Sequence, residues 1–251
     1  MMNELDLEVS ENKVAVTLIC DLHGEYKGHQ ANFKGLAVIA HKFKTKCPSC
    51  AKEKSEREDF AKGYAAEVEN KEQKRLMGIP KVYSSVDISS LKTQFKNQAT
   101  EIAFDYAVNF NADTSDNIIL TGKIRCGKTT LICGILNELA KNKVSSLYVN
   151  AFTLFADFNQ TRKFSNELNE TQVLDKYSTP NLLVIDEFGM FELSDEQKYH
   201  LHQVINGRFE NMVPTIIVSN NKYDDVLSDL GNRAKDRLQR IKKIINVEMK
   251  G

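Results

Sequence analysis

One octapeptide constrains this chain more than any other stretch: Gly122-Lys123-Ile124-Arg125-Cys126-Gly127-Lys128-Thr129. It reads G-x-x-x-x-G-K-T, the phosphate-binding P-loop pattern. An apolar run, Asn117 to Leu120, leads into it and reads as a buried strand. Thr130 to Ala140 follows, with Leu131, Ile132, Ile135, Leu136 and Leu139 at helical spacing. Strand, glycine loop and helix are the context the motif requires. Backbone N–H groups wrap a polyphosphate only where side chains are small or turned away, and the following helix presents its positive end to the anion. The loop from Gly122 through Thr130 is therefore the expected phosphate cradle. Lys128 is placed to reach the β- and γ-phosphates, and the Thr129 hydroxyl to hold magnesium.

A glycine-lysine turn also arises by chance, but a partner lies downstream. Leu182-Leu183-Val184-Ile185-Asp186-Glu187 is an apolar strand ending in two carboxylates. In a nucleotide site Asp186 holds the magnesium shell and Glu187 orients or deprotonates the attacking water. A later apolar strand, Pro214 to Ser219, runs into Asn220-Asn221. Read alone this is an Asn-rich turn. Read after the first two elements, Asn220 becomes a candidate sensor of the γ-phosphate.

The N-terminal region carries a different chemistry. Cys20-Asp21-Leu22-His23-Gly24 and Cys47-Pro48-Ser49-Cys50 are two close ligand pairs separated by a hairpin-sized insert. This is the spacing of a zinc ribbon, in which Cys20, His23, Cys47 and Cys50 close a structural tetrahedron. His29 and His41 are spare candidates with poorer spacing. A segment this small needs metal to fold by itself.

Composition narrows the function classes. A formal net charge of zero excludes a chain that is basic throughout, so nucleic-acid contact has to come from a local patch. No apolar stretch is long enough to span a membrane. Met1 to Ser10 is acidic and lacks a signal-peptide core, which argues for the cytoplasm. Five cysteines in a reducing compartment favour metal binding over a disulfide framework.

Along the chain, Val14 to Cys20 and Phe33 to Phe43 read as strand. Ala51 to Met77 reads as a long, exposed, mixed-charge helix with a thin stripe of Ala61, Tyr64, Ala65 and Val68, ended by Gly78-Ile79-Pro80. Lys81 to Leu91 reads as an ordered loop and Thr93 to Phe110 as a core-facing helix. Beyond the P-loop helix the expected elements are a strand at Ser146–Asn150 and helices at Ala151–Phe164 and Asn166–Tyr177. A helix at Ser194–Asn211 follows the carboxylate strand, with Ser194 and Gln197 as a capping box. Short helices at Asp224–Leu230 and Asn232–Arg240 and a last strand at Ile244–Glu248 complete the chain. Alternating strands and helices define an α/β fold with a mostly parallel sheet.

The combination of G-x-x-x-x-G-K-T, the Asp186-Glu187 strand, Ser219-Asn220 and Leu230-Gly231-Asn232-Arg233-Ala234-Lys235-Asp236-Arg237 resembles the DnaC-type AAA+ ATPases. These are bacterial and phage loaders of the replicative helicase, with the IstB-type transposition helpers as close relatives. The resemblance covers roughly Ile79 to the C-terminus. It implies an AAA+ P-loop domain at 79–251, preceded by a zinc-ribbon-like module at 1–50 and a charged helical linker at 51–78. It implies ATP, Mg2+ and Zn2+ as cofactors and ATP-dependent loading of a helicase onto single-stranded DNA. It further implies self-association through the ATP sites, with Arg237 as an arginine finger and Arg233 beside it. Arg162 and Lys163 fall where the family carries its DNA element. The N-terminal module would grip the helicase. One departure is Arg125, where AAA+ P-loops usually carry glycine; it leaves open a non-hydrolysing P-loop adaptor, and an IstB-type transposition helper is a separate alternative.

Overall fold

The computed structural model describes residues 13–31, 46–162 and 169–249. The expected strand Phe33–Phe43, together with His41 and Lys163, lies outside the described residues. Contacts divide the chain into two units between Val68 and Glu69.

In the first unit β1 (Lys13–Cys20) pairs antiparallel with β2 (Gly24–Ala31) through the turn at Cys20–Gly24. Helix α1 (Pro48–Leu76) crosses the division between the units and buries none of its side chains. Proline at its first position gives up an N–H that needs no partner there. The second cysteine pair therefore straddles a helix start, with Cys50 in the first turn of α1, so the ribbon is a hairpin followed by a helix. Leu18 and Cys47 are the buried apolar side chains among the described residues of this unit.

The second unit is built on β3 (Asn117–Gly122), β4 (Ser146–Asn150), β5 (Leu182–Phe188), β6 (Thr215–Ser219) and β7 (Ile244–Met249). They form one parallel sheet in the order β4-β5-β6-β3-β7. Alternation along each strand divides the core into two layers. Ile118, Leu120, Val184 and Val218 face α4 (Lys128–Lys141), whose Leu131, Ile132, Ile135, Leu136 and Leu139 are all buried. Ile119, Leu183, Ile185 and Ile217 face the other way, toward α5 (Ala151–Gln160), α6 (Glu170–Ser178), α7 (Asp195–Glu210) and α8 (Tyr223–Ile241). A sheet buried on both faces explains why its strands read as continuous apolar runs.

Two expectations need correction. Lys81–Leu91 is not a loop throughout: a 3-10 turn occupies Lys81–Tyr83, and α2 (Ile88–Gln94) starts where the Asp87 side chain accepts from the Ser90 N–H. The expected helix Thr93–Phe110 is broken at Phe95–Asn97. Asn97 caps a new helix, α3 (Gln98–Val108), in a capping box with Thr100. The capping box at Ser194 and Gln197 is present as expected. Helix α5 stops at Gln160, earlier than expected, and α6 begins after an Asn169–Gln172 capping box. Within α8, Gly231 adopts φ 72°, so the segment is two helices meeting at a kink, at the position where the sequence separates them.

Candidate nucleotide site and metal cluster

The strand order decides where the chemistry gathers. Strand β6 lies between β3 and β5, so the P-loop, Ser219-Asn220 and Asp186-Glu187 all emerge at the C-terminal ends of neighbouring strands. Open parallel sheets bind ligands in the crevice at this edge. Here the crevice is a cleft of about 320 Å³. Arg125, Gly127, Lys128, Thr129, Thr130 and Tyr83 line one part of it, and Asp186, Glu187, Ser219 and Asn220 another.

The loop itself is held open by backbone geometry. Gly127 takes φ 94° immediately before α4, a conformation that costs a residue bearing a Cβ. Arg125 takes φ 65° without being glycine. The left-handed region costs a non-glycine residue about 1 kcal/mol or more, so Arg125 carries backbone strain. Lys128 is buried, and its ammonium donates to the carbonyls of Gly122 and Lys123, both at 2.8 Å. These contacts aim the charge back across the mouth of the loop. Cys126 also lies 3.7 Å from that ammonium. Cys133, one helical stretch further, is fully buried; burial pushes its thiol up to about 12, and it serves as packing.

Across the cleft the Thr129 hydroxyl donates to Asp186 Oδ2 at 2.9 Å. Tyr148 on β4 donates to the same oxygen at 2.8 Å, and the Glu187 N–H to Oδ1 at 2.7 Å. Asp186 is buried. A hydroxyl and a carboxylate oxygen side by side are hard donors suited to magnesium. The β5–β6 register shifts between Ile185 and Phe188, and within this bulge Glu187 adopts φ 58°. Bulges re-aim side chains beside active sites. The result is that Asp186 and Phe188 are buried while Glu187 between them is exposed to the cleft. Ser219 donates to the Phe188 carbonyl at 2.6 Å and so ties the end of β6 to the bulge. Asn221 donates to the Gly189 carbonyl at 3.0 Å, leaving the adjacent Asn220 as the cleft-lining asparagine.

Arg237 stands elsewhere. It packs over the Phe209 ring at 4.7 Å and borders a small cavity with Asn117 and Thr215, at the N-terminal ends of β3 and β6. It is absent from the lining of the cleft in its own chain. Arg233 is exposed on α8, and the Arg162 guanidinium meets the Glu196 carboxylate. Tyr148 is not singled out by sequence; it belongs to no spaced motif, and only the sheet order brings it to Asp186.

The four N-terminal candidates converge. The ligand atoms of Cys20, His23, Cys47 and Cys50 all lie within 4.8 Å of one another. His23 Nδ1 is 3.3 Å from Cys50 Sγ, 3.7 Å from Cys20 Sγ and 3.8 Å from Cys47 Sγ; the two sulfurs of Cys20 and Cys50 are 3.5 Å apart. The edges of a tetrahedron of zinc ligands measure roughly 3.4–3.8 Å, so the donor set fits that ion. The other histidine nitrogen, Nε2, meets Glu53 at 2.8 Å, the outer contact that fixes a ligating ring. Glu53 and then Cys20 raise His23 to about 9. A hydrogen bond from the Leu22 backbone, followed by one from His23, lowers Cys20 to about 6, while the contact with Cys20 raises Cys50 to about 11. His29 pairs with Ala15 further along the hairpin and does not belong to the cluster.

A parallel sheet with a P-loop and a carboxylate strand gathered at one edge defines a P-loop type α/β fold. Residues 61–248 match the model of the IstB-like ATP binding protein family, and the chain belongs to that family. It is similar to the replicative helicase loader DnaC of Buchnera aphidicola subsp. Baizongia pistaciae, 33% identical over 135 residues, 54% of each chain. Against the DnaC of Escherichia coli K12 it is 26% identical over 164 residues, 64% of this chain and 66% of that one. These matches thus span between 54% and 66% of the curated relatives. The fold is also that of the crystal structure of the DnaC helicase loader, with a TM-score of 0.56 at 20% identity, covering 67% of this chain and 99% of that one. DnaI gives a TM-score of 0.56 at 22% identity over 70% and 97%.

Proposed function

We propose that this protein is an ATPase that loads a replicative DNA helicase onto single-stranded DNA. The observation that carries the reading is the convergence of Lys128, Thr129, Asp186, Glu187 and Asn220 on one cleft, in a chain whose curated relatives include replicative helicase loaders. Gly122 to Thr130 cradle the phosphates. Thr129 and Asp186 hold Mg2+, which would supply charge neutralisation on the β- and γ-phosphates. Glu187, exposed by the bulge, orients the attacking water, and Asn220 senses the γ-phosphate. Arg237 acts on the site of a neighbouring subunit, consistent with its distance from the cleft of its own chain. Arg233 is the contact beside that arginine finger, and Arg162 and Lys163 are the candidate contacts to DNA.

The domain at 79–251 does this work in the cytoplasm, and the zinc-bound module at 1–50 with the linker at 51–78 grips the helicase. Zinc held by Cys20, His23, Cys47 and Cys50 is structural, since four protein ligands leave no open position. The test is ATP turnover by the purified protein with and without single-stranded DNA, beside capture of a replicative helicase. DNA-stimulated turnover together with helicase capture supports the loader. Nucleotide binding without turnover, even with both partners present, would point instead to a non-hydrolysing adaptor disabled at Arg125.

A second reading is an IstB-type transposition helper. It is favoured by one relative, the IS5376 putative ATP-binding protein of Geobacillus stearothermophilus, 30% identical over 113 residues and 43% of that protein. Capture of a transposase in place of a helicase decides for it.

A further inference from the structure

Tyr148 is the residue next to the nucleotide site whose role no motif predicts. It lies on β4, paired in register with Val184, so Asp186 is two residues further along the neighbouring strand on the same face. Its hydroxyl donates to Asp186 Oδ2 at 2.8 Å, the oxygen that also accepts from Thr129. With the Glu187 N–H on Oδ1, the carboxylate has three donors and one orientation. An ionised carboxylate only accepts, so the phenol must donate.

The backbone of Tyr148 is fixed from the opposite side. Its N–H donates to the Met77 carbonyl at 2.7 Å, just beyond the end of α1. Gly78 presses so closely on the Tyr148 carbonyl that a Cβ there would stand 2.5 Å from the oxygen. The side chain and the main chain of one residue are thus each clamped, one to the magnesium-side carboxylate and one to the end of the helix.

We propose that Tyr148 is a positioning residue that sets the orientation of Asp186 for the metal, a role that rests on the nucleotide reading above. Partners of a ligating group contribute by orienting it, and losing one typically weakens metal affinity about 10- to 100-fold. Tyr148→Phe keeps the ring and its packing and removes only the hydroxyl.

The experiment is a Mg2+ titration of the binding of a fluorescent ATP analogue to wild type and Tyr148→Phe, with ATP turnover measured across the same series. The expected result is a rise of about tenfold in the Mg2+ concentration at half-saturation, with Mg2+-free nucleotide affinity unchanged. Turnover at saturating Mg2+ recovers to the wild-type level, which a damaged fold would not allow. An unchanged Mg2+ midpoint overturns the role, and so does a loss of turnover that Mg2+ cannot repair. A wild-type protein whose nucleotide binding ignores Mg2+ overturns the nucleotide-site reading itself, a different result from the first two.

Discussion

The Thr129 hydroxyl and the Asp186 carboxylate, 57 positions apart in the chain, meet at 2.9 Å. That bond joins the P-loop helix to the carboxylate strand across the cleft. Thr129→Val preserves the shape of the side chain and removes its oxygen. Nucleotide affinity measured without Mg2+ should stay near wild type, while the tightening produced by Mg2+ falls by about tenfold or more. Isothermal titration at two Mg2+ concentrations reads both quantities.

Glu187 is expected to separate binding from hydrolysis. Its φ of 58° inside the bulge turns it toward the cleft, away from the buried residues on either side. Glu187→Gln should bind nucleotide within about twofold of wild type yet turn over roughly 10²–10⁴ times more slowly, the range of a lost general base. A variant that fails to bind would assign Glu187 to the phosphate cradle instead.

Arg237 and Lys128 belong to different places in one chain, the first beside Phe209 and the second in the P-loop. If each site takes its arginine from a neighbour, Arg237→Ala and Lys128→Ala proteins are both inactive alone. Mixing them should restore part of the turnover, because a mixed contact joins an intact loop to an intact arginine. A mixture as inactive as its components would show that Arg237 acts within its own subunit or not at all.

Zinc at the Cys20, His23, Cys47 and Cys50 cluster is expected to stabilise its unit. With Leu18 and Cys47 as the buried apolar side chains among its described residues, the hairpin has little core to hold it. Purified protein should contain about one zinc per chain. Chelation, or Cys50→Ser, should make the hairpin region sensitive to protease while the thermal transition of the sheet domain stays in place. Protein free of zinc and equally resistant would remove the metal from the account.

The phosphate loop, the carboxylate strand and the ligand pairs were legible in sequence because each is a local spacing with a chemical meaning. Gly127, Lys128 and Thr129 are placed by their own turn, and Cys20 and His23 by one hairpin. The break before α3 was missed although its signal was present: Asn97 and Thr100 form a capping box inside what reads as one apolar helical period. Asp87, three residues before Ser90, was a similar unread start signal. Tyr148 was not legible at all. Its contact with Asp186 depends on β4 lying beside β5 in a particular register, and no pattern within either strand encodes that neighbour. Likewise the exposure of Glu187 depends on a register shift against β6 that a single strand does not reveal.

The bond from Tyr148 to Met77 has a further consequence for how this protein can be divided. Strand β4 ends the order of the sheet, and a bare outermost strand offers its unpaired amides to any other chain. The segment after α1 occupies that rim, with the Met77 carbonyl taking one amide and Gly78 covering the carbonyl beside it. A fragment that begins at Ile79 keeps every nucleotide-binding residue named above but loses this guard. Its tendency to self-associate through β4 would be a property of the cut, created by losing Met77 and Gly78 along with all that precedes them.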